Sequence, residues 1–160
     1  MAQPDDVEAW REELLRVAVI VQDGDDSVGE DERVARFERF VAMLDALDGS
    51  ESDRVLDTVL DAVTEQEDYG AYQALQGALR RFPPERLGRA IARDAPRLVR
   101  EAPGVAWDVL LQVRPPVVAA FNAEAERLPA DDLAAVRAYV REGEQPDGWM
   151  EDAPGELVPE

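Results

Sequence analysis

The sequence predicts an all-α protein: seven or eight helices in antiparallel pairs, packed as a HEAT-like α-solenoid or an irregular bundle. Three observations point there. Apolar residues recur at the i, i+3/i+4, i+7 spacing of helices buried on one side, most clearly at Val55, Leu56, Val59, Leu60 and Val63. Prolines and glycines stand at the ends of these periodic runs, where helices start and stop. Convincing alternation with the period of two that a half-buried strand needs is missing.

Taken in order, Asp5 and Asp6 can cap a first helix over 7–21, with Val7, Trp10, Leu14, Val17 and Val21 on one face. An acidic, glycine-containing turn follows. A second helix, 32–47, is expected to bury Val34, Phe37, Val41 and Leu44, with Phe40 and Leu47 widening the stripe. Residues 53–82 form the central element, a helix pair joined by a short polar turn. Its first helix carries Asp53, Asp57 and Asp61 opposite the apolar stripe, and Glu65, Glu67 and Asp68 continue the acid. Its second helix opens with Tyr69-Gly70-Ala71-Tyr72 and ends before Pro83-Pro84, which suit the first turn of the next helix. That helix carries Leu87, Ala90, Ile91, Leu98 and Val99, and Pro96 should kink or divide it near Asp94. Further starts are expected at Pro103-Gly104, Pro115-Pro116 and Pro129, and the last helix should stop at Gly143. The pairs recur at close to the ~40-residue spacing of HEAT-like units. Domain organisation is read as one helical domain over 1–143 and an acidic flexible tail over 144–160, with Trp149-Met150 as its one candidate anchor. The expected core includes Leu56, Leu60, Leu75, Leu79, Ile91, Leu98, Trp107 and Leu110.

Composition excludes much chemistry. With no cysteine and no histidine, the chain has neither disulfides nor thiolate metal sites, and the commonest nucleophiles and general bases are missing. Lysine is absent too, so all 17 cations are arginine against 36 acids, a net charge of −19. No apolar run approaches the ~20 residues of a membrane span, and the acidic Met1-Ala2-Gln3-Pro4-Asp5-Asp6 opening is unlike a signal peptide. The expectation is a cytoplasmic protein that anionic lipid repels. Charge is uneven along the chain: residues 1–70 carry 21 acids and 6 arginines, whereas 71–110 carry 4 acids and 7 arginines. Those seven (Arg80, Arg81, Arg86, Arg89, Arg93, Arg97 and Arg100) make a basic ridge expected to pair with acids of neighbouring helices. It lacks interleaved aromatics, and the net field repels phosphate, so nucleic acid is not an expected partner.

No catalytic, cofactor or metal site is expected. Asp23, Asp25, Asp26 and Glu30 have a calcium-loop look, but Val28 stands where such a loop needs glycine and Val34 where it needs glutamate. Asp57, Asp61 and Glu65 share a helix face without histidine support and read as solvated. A partner-binding face is the sharper reading of the central pair: Asp53, Asp57, Asp61, Glu65, Glu67 and Asp68, with Tyr69 and Tyr72 at its tip, presented to a basic protein.

The order acidic helix, Glu67-Asp68-Tyr69-Gly70-Ala71-Tyr72-Gln73-Ala74-Leu75, Ala78-Leu79-Arg80-Arg81-Phe82-Pro83, Ala95-Pro96-Arg97-Leu98-Val99 and Ala102-Pro103-Gly104-Val105-Ala106-Trp107 resembles small helical immunity proteins of bacterial polymorphic toxin systems. The resemblance spans about residues 50–128. It departs at Arg114-Pro115-Pro116, where such proteins often place an asparagine. It implies an acidic, cytosolic, non-catalytic HEAT-like protein that binds and blocks a cognate toxin. The alternative is a helical scaffold or adaptor for another protein; an enzyme would have only carboxylates, hydroxyls and arginines to work with.

Overall fold

The computed structural model describes residues 6–20, 27–65 and 69–160, with the Tyr69 side chain outside that description. Eight helices and no strand occur among the described residues: α1 Val7–Ala18, α2 Glu30–Asp45, α3 Asp53–Asp61, α4 Tyr69–Leu79, α5 Pro84–Glu101, α6 Pro103–Leu110, α7 Val117–Ala125 and α8 Ala130–Gly143. The all-α expectation is borne out. No helix among the described residues is long and apolar enough to cross a membrane. The chain divides into two compact units, Met1–Phe82 and Pro83–Glu160, where the sequence reading drew one domain over 1–143.

In the N-terminal unit α1 packs on α2 and α3, and α4 packs on α2 and, less extensively, on α3. Asp6 caps α1, accepting the Glu8 and Ala9 amides at 3.1 Å each and so filling two of the helix's orphan donors. The core is built from Leu14, Val17, Phe40, Met43, Leu44, Val55, Leu56, Val59, Leu60, Leu75 and Leu79, all buried. The expected phase of α2 is corrected. Val34 is 49% exposed, and Phe37 and Val41 are only half-buried; Phe40, Leu44 and Leu47 are buried as expected, and Met43 joins them. Both phases offer an apolar stripe, and the choice falls to the one that meets α1 and α4 together.

In the C-terminal unit α5 is the hub, packing on α6, α7 and α8, and on α7 most extensively. That is an arrangement around one helix rather than a row of stacked pairs. Its inward face is Leu87, Gly88, Ala90, Ile91, Ala92, Ala95, Pro96 and Leu98. Small residues let the neighbouring backbone come close. A methyl group on Gly88 would lie 2.7 Å from the Val117 carbonyl oxygen and 2.9 Å from the Phe121 nitrogen. Pro96 was expected to kink or divide the helix near Asp94; it does not divide it, since α5 runs from Pro84 to Glu101 with Pro96 buried inside it. A proline removes one i→i−4 bond, and burial of Ala92, Ala95 and Leu98 around it holds the helix together.

Two further corrections concern the C-terminal unit. Trp107, expected in the core, is 39% exposed. Its indole N–H donates to the Gly104 carbonyl at 2.8 Å, which lays the ring along the outside of α6 while Val105, Ala106, Val109 and Leu110 are buried. Nearly every residue of α6 is apolar, so periodicity alone does not choose its inner face. Residues 144–160, expected as a flexible tail, form turns in which Met150, Leu157 and Val158 are buried. Trp149 stacks obliquely on Tyr139 at 5.8 Å between ring centroids and lies so close to Gly143 that a methyl group there would meet the indole at 2.2 Å.

Two stability measurements check this packing. Leu60→Ala and Leu79→Ala should each lower unfolding free energy by about 2–5 kcal/mol, because both positions are fully enclosed and leave cavities. Gly88→Ala should destabilise by about 1–3 kcal/mol through overpacking, despite the better helix propensity of alanine. Wild-type denaturation curves for these variants would refute the assigned faces.

Candidate functional site

The acidic residues singled out on the central pair fall on α3 and the turn after it. Asp53 sits exposed in the first turn of α3, Asp57 is half-buried, and Asp61 is exposed as the last residue of the helix. Asp53 suits the positive end of the helix dipole, whereas Asp61 stands at the unfavourable negative end. A cation from another helix offsets that: the Arg11 guanidinium of α1 reaches the Asp61 carboxylate at 3.2 Å. Arg54 of α3 returns the contact by pairing with Glu8 of α1. The acidic face of α3 is thus tied into the α1–α3 seam at its end. Glu65 is exposed in the following turn. Tyr72 is half-buried, and its hydroxyl donates to the Thr64 carbonyl, closing the turn between α3 and α4. Glu67, Asp68 and the Tyr69 side chain lie outside the described residues, as do Asp5, Asp23, Asp25 and Asp26 of the sequence reading.

Arginine holds this unit together in two other places. Arg39 of α2 grips Glu13 of α1 with both oxygens engaged, at 2.7 and 2.9 Å. That hydrogen-bonded guanidinium holds the Glu13 carboxyl below its ordinary value. Arg81, beyond the end of α4, donates to the carbonyls of Leu44, Asp45 and Leu47 at 3.0, 3.3 and 2.9 Å. These are end-of-helix acceptors, and α2 has no basic residue of its own in its last turn. Beneath it, the buried Glu51 carboxylate accepts the Asp48 and Gly49 amides at 2.9 Å each. Gly49 turns there with φ +90, and a methyl group on it would stand 1.9 Å from the Arg81 carbonyl oxygen. Sequence reasoning missed both Glu51 and the cap role of Arg81; the glycine followed by a polar pair before a helix was the available signal.

The basic ridge expected to pair with acids does so at Arg89–Glu85 (3.9 Å), Arg93–Glu124 (3.9 Å), Arg97–Asp94 (2.7 Å) and Arg100–Asp132. Two of these cross between helices, α5 to α7 and α5 to α8. An open hollow beside the start of α5 is lined by Pro83, Pro84, Glu85, Arg86, Arg89, Pro116, Ala119 and Ala120. It offers a single carboxylate, Glu85, and two guanidiniums, Arg86 and Arg89, among prolines and alanines. No group of three or more metal-ligating side chains occurs among the described residues.

Two measurements follow from this geometry. In a carbon-detected NMR titration Glu13 should titrate below 4.5, and Arg39→Ala should return it to the ordinary value. The folded value lies under the unfolded one, so the pair's contribution is present above about pH 4.5 and disappears as pH falls through the folded value. Gly49→Ala should destabilise by more than about 1 kcal/mol, since it meets both a left-handed backbone and a backbone oxygen; thermal denaturation measures it, and an unchanged midpoint would contradict the turn. Compared with protein-family models, curated proteins and solved structures, the chain finds no match.

Proposed function

We propose that this chain is a non-catalytic binding protein whose partner is a basic protein, and, more specifically, a cytoplasmic immunity protein that neutralises a cognate bacterial toxin. The charge of the N-terminal unit carries the reading. Residues 1–82 hold 21 acids against 8 arginines, and Arg11, Arg36, Arg39, Arg54 and Arg81 are drawn into ion pairs within the unit. The acid surplus is left to act outward. A field of that sign steers a cationic partner and raises its association rate by orders of magnitude at low salt. Inhibition by occlusion needs no chemistry, only a rigid surface and a few anchors. On this reading the contact surface is Asp53, Asp57, Asp61 and Glu65 of α3 and its turn, with Glu67, Asp68, Tyr69 and Tyr72.

The test is binding kinetics against the product of the adjacent gene at two ionic strengths. Asp57→Arg with Asp61→Arg should slow association by about tenfold at low salt and flatten its salt dependence. Tyr69→Ala should leave association alone and speed dissociation several-fold, as removal of a buried anchor does. Asp57→Arg alone is a third variant, which leaves the Asp61–Arg11 pair in place. Unaltered kinetics in all three would move the contact off this face. If no basic product of a neighbouring gene binds at all, the scaffold reading replaces the immunity reading.

A further inference from the structure

Residues 155–159 are held to the body by side-chain hydrogen bonds to their main chain. Asn122, the one asparagine of the sequence, sits in the middle of α7, a position where asparagine is a poor helix former. It turns both halves of its amide onto the main chain of residues 156–158. Its Nδ2–H donates to the Glu156 carbonyl at 2.9 Å, and its Oδ1 accepts the Val158 amide at 2.9 Å. From α8, Arg141 donates to the Val158 carbonyl at 3.0 Å and Arg137 to the Pro159 carbonyl at 3.0 Å. Glu144 braces Arg141 at 2.7 Å and also accepts the Gly155 amide at 2.7 Å. Leu157 and Val158 are buried against the unit, 0% and 3% exposed.

These bonds read main chain, and the side chains contribute two adjacent aliphatic groups. Such recognition is indifferent to which polypeptide supplies the segment, because main-chain groups carry most of it. The conformation of the segment also comes from the site. Val158 has φ +43, a left-handed backbone that a β-branched residue adopts only when its surroundings impose it. We propose that Asn122, Arg137 and Arg141 form a peptide-binding site on α7 and α8, occupied in cis by residues 155–160. Its ligand in trans is a turn-forming segment of a partner protein with two adjacent aliphatic residues flanked by acids, as Glu156-Leu157-Val158-Pro159-Glu160 presents them. Residues 155–160 are a displaceable stand-in for it. The proposal is independent of the acidic face of α3.

The probe is a fluorescein-labelled peptide, Gly-Glu-Leu-Val-Pro-Glu, titrated into the full chain and followed by anisotropy. Wild type competes with its own tethered segment and should bind weakly. Full-length protein carrying Leu157→Asp and Val158→Asp expels that competitor and should bind at least about tenfold more tightly. Adding Asn122→Ala should remove the gain. A double variant that keeps native circular dichroism yet takes up no peptide would overturn the proposal. Hydrogen exchange on wild type supplies a check that needs no variant. The Val158 amide should exchange through a local opening, faster than amides in the middle of α5. Exchange at the same rate as α5 would make the segment an integral part of the core and defeat the idea. Concentration-dependent dimerisation of wild type would assign the site to a second copy of this chain instead of a partner.

Discussion

Thirty-six carboxylates share this chain with 17 guanidinium groups and no other cation, and the placement of those guanidiniums organises both units. Exposed ion pairs contribute little each, about 0–1 kcal/mol, so their number is not what matters. Geometry is. A guanidinium presents five donors in a flat fork, and here the fork repeatedly meets main-chain carbonyls at helix and chain turns. Arg81 spans three carbonyls at the end of α2. Arg137 and Arg141 hold carbonyls of the last residues. Left without a partner, part-buried carbonyls of this kind would each cost about 1–3 kcal/mol. A lysine, with its single compact charge, would serve none of these places as well.

Beneath the charge, apolar burial supplies the stability and small residues decide the spacing. In the C-terminal unit the row Gly88, Ala92, Ala95 on α5 lets the α7 backbone approach closely at Gly88, and Phe121 is fully buried there. The hub role of α5 follows: its inward face is wide enough to serve three neighbours at once. In the N-terminal unit no helix plays that part. Four helices share the core, and Arg39–Glu13, Arg11–Asp61 and Arg54–Glu8 stitch α1 to α2 and α3. The two units thus reach compactness by different means.

The same economy of polar groups bears on function. The described residues hold no unsatisfied buried side-chain polar atom and no group of three or more metal-ligating side chains. What the molecule has in abundance is surface charge of one sign and well-anchored turns. Tyr72 illustrates the overlap between structure and recognition. Its hydroxyl is committed to the Thr64 carbonyl, so any contact it makes with a partner uses the ring and not the hydroxyl.

Much of this was legible in the sequence. The helices were, because period 3.6 and proline or glycine at the boundaries are local signals; Pro83-Pro84, Pro103, Pro129 and Gly143 mark starts and stops where they were expected. So were the buried leucines of α3, α4 and α5, whose apolar stripes admit one phase. Three matters were decided only in three dimensions. The inner face of α6 and the phase of α2 depend on which neighbour arrives, since both helices offer more than one apolar face, and Trp107 and Val34 went outward. The unbroken run of α5 through Pro96 depends on tertiary burial exceeding the loss of one backbone bond. The fate of residues 144–160 turned on partners 21 to 36 positions away, Asn122 and Arg137 above all. Composition marked that segment as acidic and turn-rich, and no local property of it could say that two helices hold acceptors and donors for its main chain.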